Sequence, residues 1–239
     1  MSTSTRTARP LIPTRAGTVS TREALTADRV TKSLLGYGVI AGPIYVVASL
    51  AQAVLRDGFD LTRHAWSQLA LGGPGWIQVV NFVLTGAMLI AFAVGLARAL
   101  GHGPAARWSP ILVGAFGVSM IAAGIVKVDP AAGFPVGVPS PAAISTSGLI
   151  HLGAGAIGFS CLTAGLLVLA RRLSREGFSS LAAWTRVIAV AFFLAFAGMA
   201  STALGGAGII AFVVAVVAVM TLLSVLAVHR YRQMPSTDG

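Results

Sequence analysis

AGIIAFVVAVVAVMTLLSVLAV, from Ala207 to Val228, carries no ionisable side chain. At about 1.5 Å of rise per residue, a helix of this length crosses the ~30 Å hydrocarbon core of a bilayer. Barrel strands alternate polar and apolar residues over short runs, and this segment does not. Five more segments upstream meet the same standard: Leu34–Val54, Trp76–Ala97, Ile111–Val128, Gly148–Ala170 and Val187–Leu204. Only the third includes a formal charge, Lys127, next to its end. The chain is 56% hydrophobic and 10% charged with a mean hydropathy of +0.84, outside the soluble globular range. The expected fold is all-α: a six-transmembrane-helix bundle with a disordered N-terminal tail. The last segment, without any ionisable group, is expected to face lipid.

A formal net charge of +10 raises the question of nucleic acid, and its distribution answers it. With the N-terminus placed inside, fourteen Lys and Arg fall on the cytoplasmic side, against Arg56, Arg63 and Lys127 outside. That asymmetry is a positive-inside signal, placing both termini in the cytoplasm and favouring anionic lipids. No nucleic-acid motif is present, so membrane lipids are the expected partners and nucleic acid is not. Arg outnumbers Lys 15 to 2, which resembles high-GC bacterial coding and suggests a bacterial cytoplasmic membrane. The single cysteine, Cys161, allows no intrachain disulfide and reads as a small packed residue.

Residues 1–33 are rich in Ser, Thr and Arg and read as a largely disordered cytoplasmic tail, with 34–229 the membrane domain and 230–239 a second tail. Ser20 and Glu23 have capping-box spacing, which predicts a short surface helix from about Thr21. The first apolar segment starts late and is too long for a cleaved signal, so it reads as a retained anchor. Pro43 predicts a kink, and Gly38 and Gly42 a close helix approach. Gly153, Ala154, Gly155 and Gly158 predict a packing surface on the fourth helix rather than a ligand cavity. The fifth and sixth segments, separated only by Gly205 and Gly206, read as a tight hairpin. Trp76, Trp108 and Trp184 stand near span ends, where interfacial anchoring explains them.

Residues 56–76, RDGFDLTRHAWSQLALGGPGW, break the apolar pattern, with Arg56, Asp57, Asp60 and Arg63 followed by His64. The alternating topology puts them on the same face as KVDPAAGFPVGVPSPAAISTSGLIH, residues 127–151, which supplies Lys127, Asp129 and His151. Both stretches read as one polar cap at the outer boundary. Asp60, His64 and Ser67 are spaced i, i+4, i+7, so a helix there puts them on one face. Asp60 could then orient His64 as a general base, with Ser67 a candidate nucleophile. Alternatively Arg63 and Lys127 pair with the aspartates and tie the loops together. Two His and two Asp could bind a metal, but no HExxH-like spacing supports one, and none is expected. Haem is not expected either, because His102 and His229, the other possible axial pair, lie in a glycine-rich loop and a basic tail.

These outer-face residues also carry a resemblance. FDLTRHAWSQLALGGPGWIQVVNFVLTG (59–86) with VDPAAGFPVG (128–137) resembles the bacterial membrane family catalogued as domain of unknown function 998. Asp60, Arg63, His64, Ser67, Trp76 and Asn81 match its first motif. Asp129, Pro130, Gly133, Phe134 and Pro135 match its second, and His151 matches the histidine opening the fourth helix. The proline that often follows the RH pair is Ala65 here. The likeness, over about 34–228, implies six helices and a site location but no reaction.

Three functions follow as expectations. The cap, through Asp60, Arg63, His64, Lys127, Asp129 and His151, could bind a lipid headgroup or small anion without a cofactor. It could act as a membrane-embedded hydrolase through His64, Asp60 and Ser67. Or the glycine-rich helix faces could dock a membrane-protein partner.

Overall fold

The computed structural model describes residues 16–235, with side chains from residue 23 onward. Six α-helices among these residues are each long and apolar enough to cross a membrane. They are α1 (Ala16–Leu55), α2 (Trp76–Leu100), α3 (Pro104–Ile125), α4 (Thr146–Arg175), α5 (Ser179–Ala200) and α6 (Gly205–Gln233). Each helix packs against the next in sequence, and α6 closes back on α1, so the helices form a ring. An even number of spans brings the chain ends together, and the Lys32 ammonium lies 5.6 Å from the Tyr231 ring centre.

The helices start and stop for local reasons. Pro104 opens α3, where its missing N–H costs nothing, and Ser145 caps α4 by accepting from the Gly148 N–H at 3.0 Å. Arg172 and Arg175 close α4, and Arg230 and Arg232 close α6, placing positive charge at the negative helix ends. Most helices run several residues past their apolar segments into the interfacial zone. At their C-terminal ends α3 and α5 instead stop short of the expected bounds, at Ile125 and Ala200, which leaves Lys127 in the loop after α3.

Helix α1 departs from the expected tail. It is continuous from Ala16, so the segment up to Ser33 is helical and shows no break before the first span. Forty residues measure about 60 Å, twice the hydrocarbon thickness, so this first half projects beyond the bilayer. The Ser20 side of the expected capping box, and residues 1–15 of the tail, lie outside the described residues or side chains. Pro43 sits inside the continuous helix.

Gly42 lies so close to α6 that a Cβ would fall 2.6 Å from the Met220 carbonyl oxygen, and a Cβ on Gly38 would collide with Phe92. Of the small residues at 153–158 on α4, Gly158 packs this tightly, against Ser119, while Gly153 has open space around it; nearer the start of α4, Gly148 lies as close to the Asp129 carboxylate. α6 does not simply face lipid. Phe212, Val219, Met220, Leu223 and Leu226 enter the core, while Ile210, Val214 and Val225 point outward. Ser201–Leu204 join α5 to α6 as a short hairpin, with Gly205 and Gly206 already in the first turn of α6. Trp76, Trp108 and Trp184 are all exposed near helix ends.

At the end bearing the termini, Glu176 bridges Arg172 at 2.6 Å and the buried Arg230 at 2.7 Å, tying α4 to α6. Burial alone would raise the Glu176 pKa, but the two guanidinium groups outweigh it and hold the carboxyl below the usual range.

Candidate functional site

Opposite the termini, the loop joining α1 to α2 and the loop joining α3 to α4 meet as a cap. The segment 60–71 is not the continuous helix that would align Asp60, His64 and Ser67. His64 N–H closes a single turn on the Asp60 carbonyl at 2.8 Å, and Ala65 is then extended at φ −70°, ψ 149°. A short 3-10 helix, Trp66–Ala70, follows.

This geometry breaks the expected pairing of Asp60 with His64. The Asp60 carboxylate accepts from the Thr62 N–H at 2.8 Å and hydroxyl at 2.7 Å. These bonds, with smaller help from His64 and Arg63, hold its pKa below the usual carboxylate value. His64 Nδ1 instead accepts from the Asp60 backbone N–H at 2.8 Å, which leaves Nε2–H to donate to the Ala132 carbonyl at 3.2 Å. The ring is 1% exposed and lies between Phe59 and Phe134. With both nitrogens spent on the backbone, His64 has no lone pair for a substrate proton or a metal.

The expected ion pairs are also replaced. Among the described residues, neither Arg63 nor Lys127 forms an ion pair with an aspartate; both ion pairs lie at the other end of the bundle. Arg63 donates to the same Ala132 oxygen at 3.0 Å, and Gln68 reaches the Ala131 carbonyl at 3.4 Å. Arg56 donates to the Leu69 and Leu71 carbonyls at 2.9 and 2.7 Å and lies over the Phe134 ring. The loops are therefore tied by cationic and imidazole donors on backbone oxygens. Among the described residues no such side-chain-to-backbone bond involves Asp57 or the Lys127 side chain, although the Lys127 carbonyl accepts from Ser147.

The second loop is shaped to offer those oxygens. Ala131 and Phe134 exchange backbone hydrogen bonds across a turn with positive φ at Ala132 (55°) and Gly133 (87°), the pattern of a type I′ turn. Phe134, 1% exposed, anchors it against Phe59. Asp129 accepts from both the N–H and hydroxyl of Ser145, the α4 cap. Those two bonds lower the Asp129 pKa.

His151, one turn into α4, is arranged differently. Its Nδ1–H donates to the Val126 carbonyl at 2.7 Å, which fixes the tautomer and leaves Nε2 as a free acceptor. Nε2 makes no hydrogen bond to the described residues. His151, Arg63, Ser67 and Asp129 line one cavity of about 290 Å³ inside the ring, which Lys127, Asp60 and His64 do not line. Gly155 also lines it, so this part of the small-residue surface on α4 borders a cavity rather than packing a neighbour. Among the described residues, no three His, Cys, Asp or Glu side chains are placed to share a metal ion.

Two buried polar features lie outside the expected site residues, although Asn81 belongs to the first motif. Ser49, Gln52, Gln78 and Asn81 form a buried polar cluster between α1 and α2. Gln78 Oε1 accepts from Gln52 at 2.7 Å, and Asn81 donates to the Tyr45 carbonyl and Ser49 at 3.2 Å each. Their helical spacing on two apolar segments was visible. Trp66, 4% exposed on the cavity wall, has an indole N–H without an acceptor among the described residues.

Six apolar membrane-length helices, ringed around an interior cavity, define a multi-pass integral membrane protein. The chain belongs to the family described as "Protein of unknown function (DUF998)", whose profile matches residues 39–229. No curated protein and no solved structure matches it.

Proposed function

We propose that the protein binds the headgroup of an anionic lipid, or a small anion, at the cap, and that the cap faces outward with both termini in the cytoplasm. The observation that carries this reading is the pairing of Arg63 with a free His151 Nε2 on one cavity. Arg63 spends one N–H on Ala132 and keeps other guanidinium donors for an oxyanion. His151 Nε2 can accept a proton from a phosphate or hydroxyl, and protonated it becomes a second donor. Ser67 adds a hydroxyl to the same lining. Asp129 does not compete as a free base, because Ser145 already occupies its carboxylate. Asp60 and His64 serve by holding the loop, and Lys127 adds positive charge near the cap without lining it.

Fourteen cationic residues on the side of the termini support the orientation, since such residues resist translocation. Placement in a bacterial cytoplasmic membrane belongs to the same proposal. The reading is tested by native mass spectrometry of the protein released gently from membranes. Retained anionic lipid is expected on the unsubstituted protein, with at least about tenfold less on Arg63→Ala and His151→Ala. Equal retention by all three proteins would remove the headgroup site.

A further inference from the structure

We propose that the interior of the helix ring holds one aliphatic chain of a membrane amphiphile, its tail between the helices and its polar head under the two-loop cap. All six helices contribute to the cavity wall, which is dominated by Phe82, Phe116, Phe159, Phe192, Phe212 and Met220. A buried water needs two or more polar partners, and these side chains supply none, so the lower cavity favours hydrocarbon over water. On α6 the lining runs from Ile209 to Met220, about 16 Å along the helix axis. That is about half of a ~30 Å hydrocarbon core, the depth one chain occupies in one leaflet.

The volume of about 290 Å³ is at the small end of ligand sites, which range over about 300–1,000 Å³, and it suits one chain rather than two. The upper end is polar: the unpartnered Trp66 N–H and His151 Nε2 lie on the same lining as Arg63. An amphiphile whose head carries acceptor oxygens and an exchangeable proton satisfies all three. Leu152, Met199 and Ile209 line the cavity without being buried, marking a rim beside α4, α5 and α6 through which a chain can enter from the bilayer. The head's position rests on the cap reading above, whereas the chain's position rests on the cavity alone.

Replacing Trp76, Trp108 and Trp184 with Phe leaves Trp66 as the single indole reporter. The protein in nanodiscs is titrated with dodecyl phosphate brominated along its chain. Saturable quenching of Trp66 is expected, displaced by unlabelled dodecyl phosphate or farnesyl phosphate, and by inorganic phosphate only at a far higher concentration because it lacks the chain. Whichever competes at the lower concentration identifies a linear or an isoprenoid chain. Gly155→Leu directs its side chain into the cavity, since a Cβ there meets only the Phe159 ring at 3.5 Å. It should weaken quenching by at least about tenfold. Ala123→Leu, on the same wall, serves if Gly155→Leu does not fold. If neither folds, bromines placed near the head and near the tail decide, with saturable quenching expected to be stronger from the head position.

Quenching that rises linearly without saturation, or saturable quenching untouched by a folded cavity-filling variant, overturns the chain site. If inorganic phosphate still binds through Arg63, the headgroup reading survives that result. Conversely, brominated dodecanol quenching as well as the phosphate, with no effect of Arg63→Ala, retains the chain and removes the anionic head.

Discussion

His64 and Ala132 are 68 residues apart in sequence, and a 3.2 Å hydrogen bond from the imidazole Nε2–H to the alanine carbonyl joins their two loops. Arg63 donates to the same oxygen, so one carbonyl carries the closest tie across the cap. The histidine that first suggested chemistry is a fastener, and the one with a free nitrogen is His151.

The two histidines should therefore separate by phenotype. His64→Ala removes a ring buried among Phe59 and Phe134 together with two backbone hydrogen bonds, and should cost about 2–4 kcal/mol. Thermal unfolding of purified protein should show this loss, with reduced abundance in membranes. His151→Ala forfeits a single hydrogen bond, about 1 kcal/mol, and should keep its abundance while losing bound lipid.

Asp129 should impose an acid limit on the α4 end of the cap. Its pKa is lowered in the folded state by Ser145, so the stabilisation is complete above the unfolded value of about 3.9. It is lost as pH falls through the lower folded value. Asp129→Asn should flatten this acid limb in hydrogen exchange of the Gly148 amide region and leave the neutral-pH fold intact.

Ala132 holds a left-handed φ of 55° that glycine adopts without strain. Ala132→Gly keeps the carbonyl and should raise stability by up to about 1 kcal/mol, whereas Ala132→Val should lower it, a β-branched residue being poorly tolerated there. Paired melting curves check both signs.

Gln78 is the hub of the polar cluster between α1 and α2, and it is fully buried. Gln78→Leu leaves Gln52 and Asn81 without their shared acceptor. A typical membrane hydrogen bond is worth about 0.6 kcal/mol and at most about 1.7, so the variant should lose about 1–2 kcal/mol. Chemical denaturation in detergent measures it.

The bundle was legible because lipid imposes a coarse requirement: segments such as Ala207–Val228 can satisfy their backbone and side chains only as spanning helices. The meeting of the 59–64 and 127–137 loops was legible for the same reason, since alternation of spans puts them on one face. The bonds within the cap were not. Sequence displays side chains, and it invited pairs such as Asp60 with His64, whereas the partners of His64 and Arg63 are backbone groups exposed by the Ala132 turn. Phe159 and Phe212 read equally well as packed core or lipid-facing surface, so the cavity they border left no mark. A helix from about Thr21 was signalled by Ser20 and Glu23, but its start at Ala16 and its unbroken run into the first span were masked by charge. Arg and Glu suit a solvated helix as well as a disordered tail, and continuity with the first span decides between them.

The proposed site requires both loops to lie on the outer face of the membrane. Thr62→Cys and Val136→Cys, both at exposed positions, are placed singly in a Cys161→Ala background beside His102→Cys at the opposite end. Intact cells are treated with a membrane-impermeant maleimide. Labelling at 62 and 136, with 102 protected until the membrane is opened, is the expected result. Labelling at 102 in intact cells, or at only one of the two cap positions, would contradict the account.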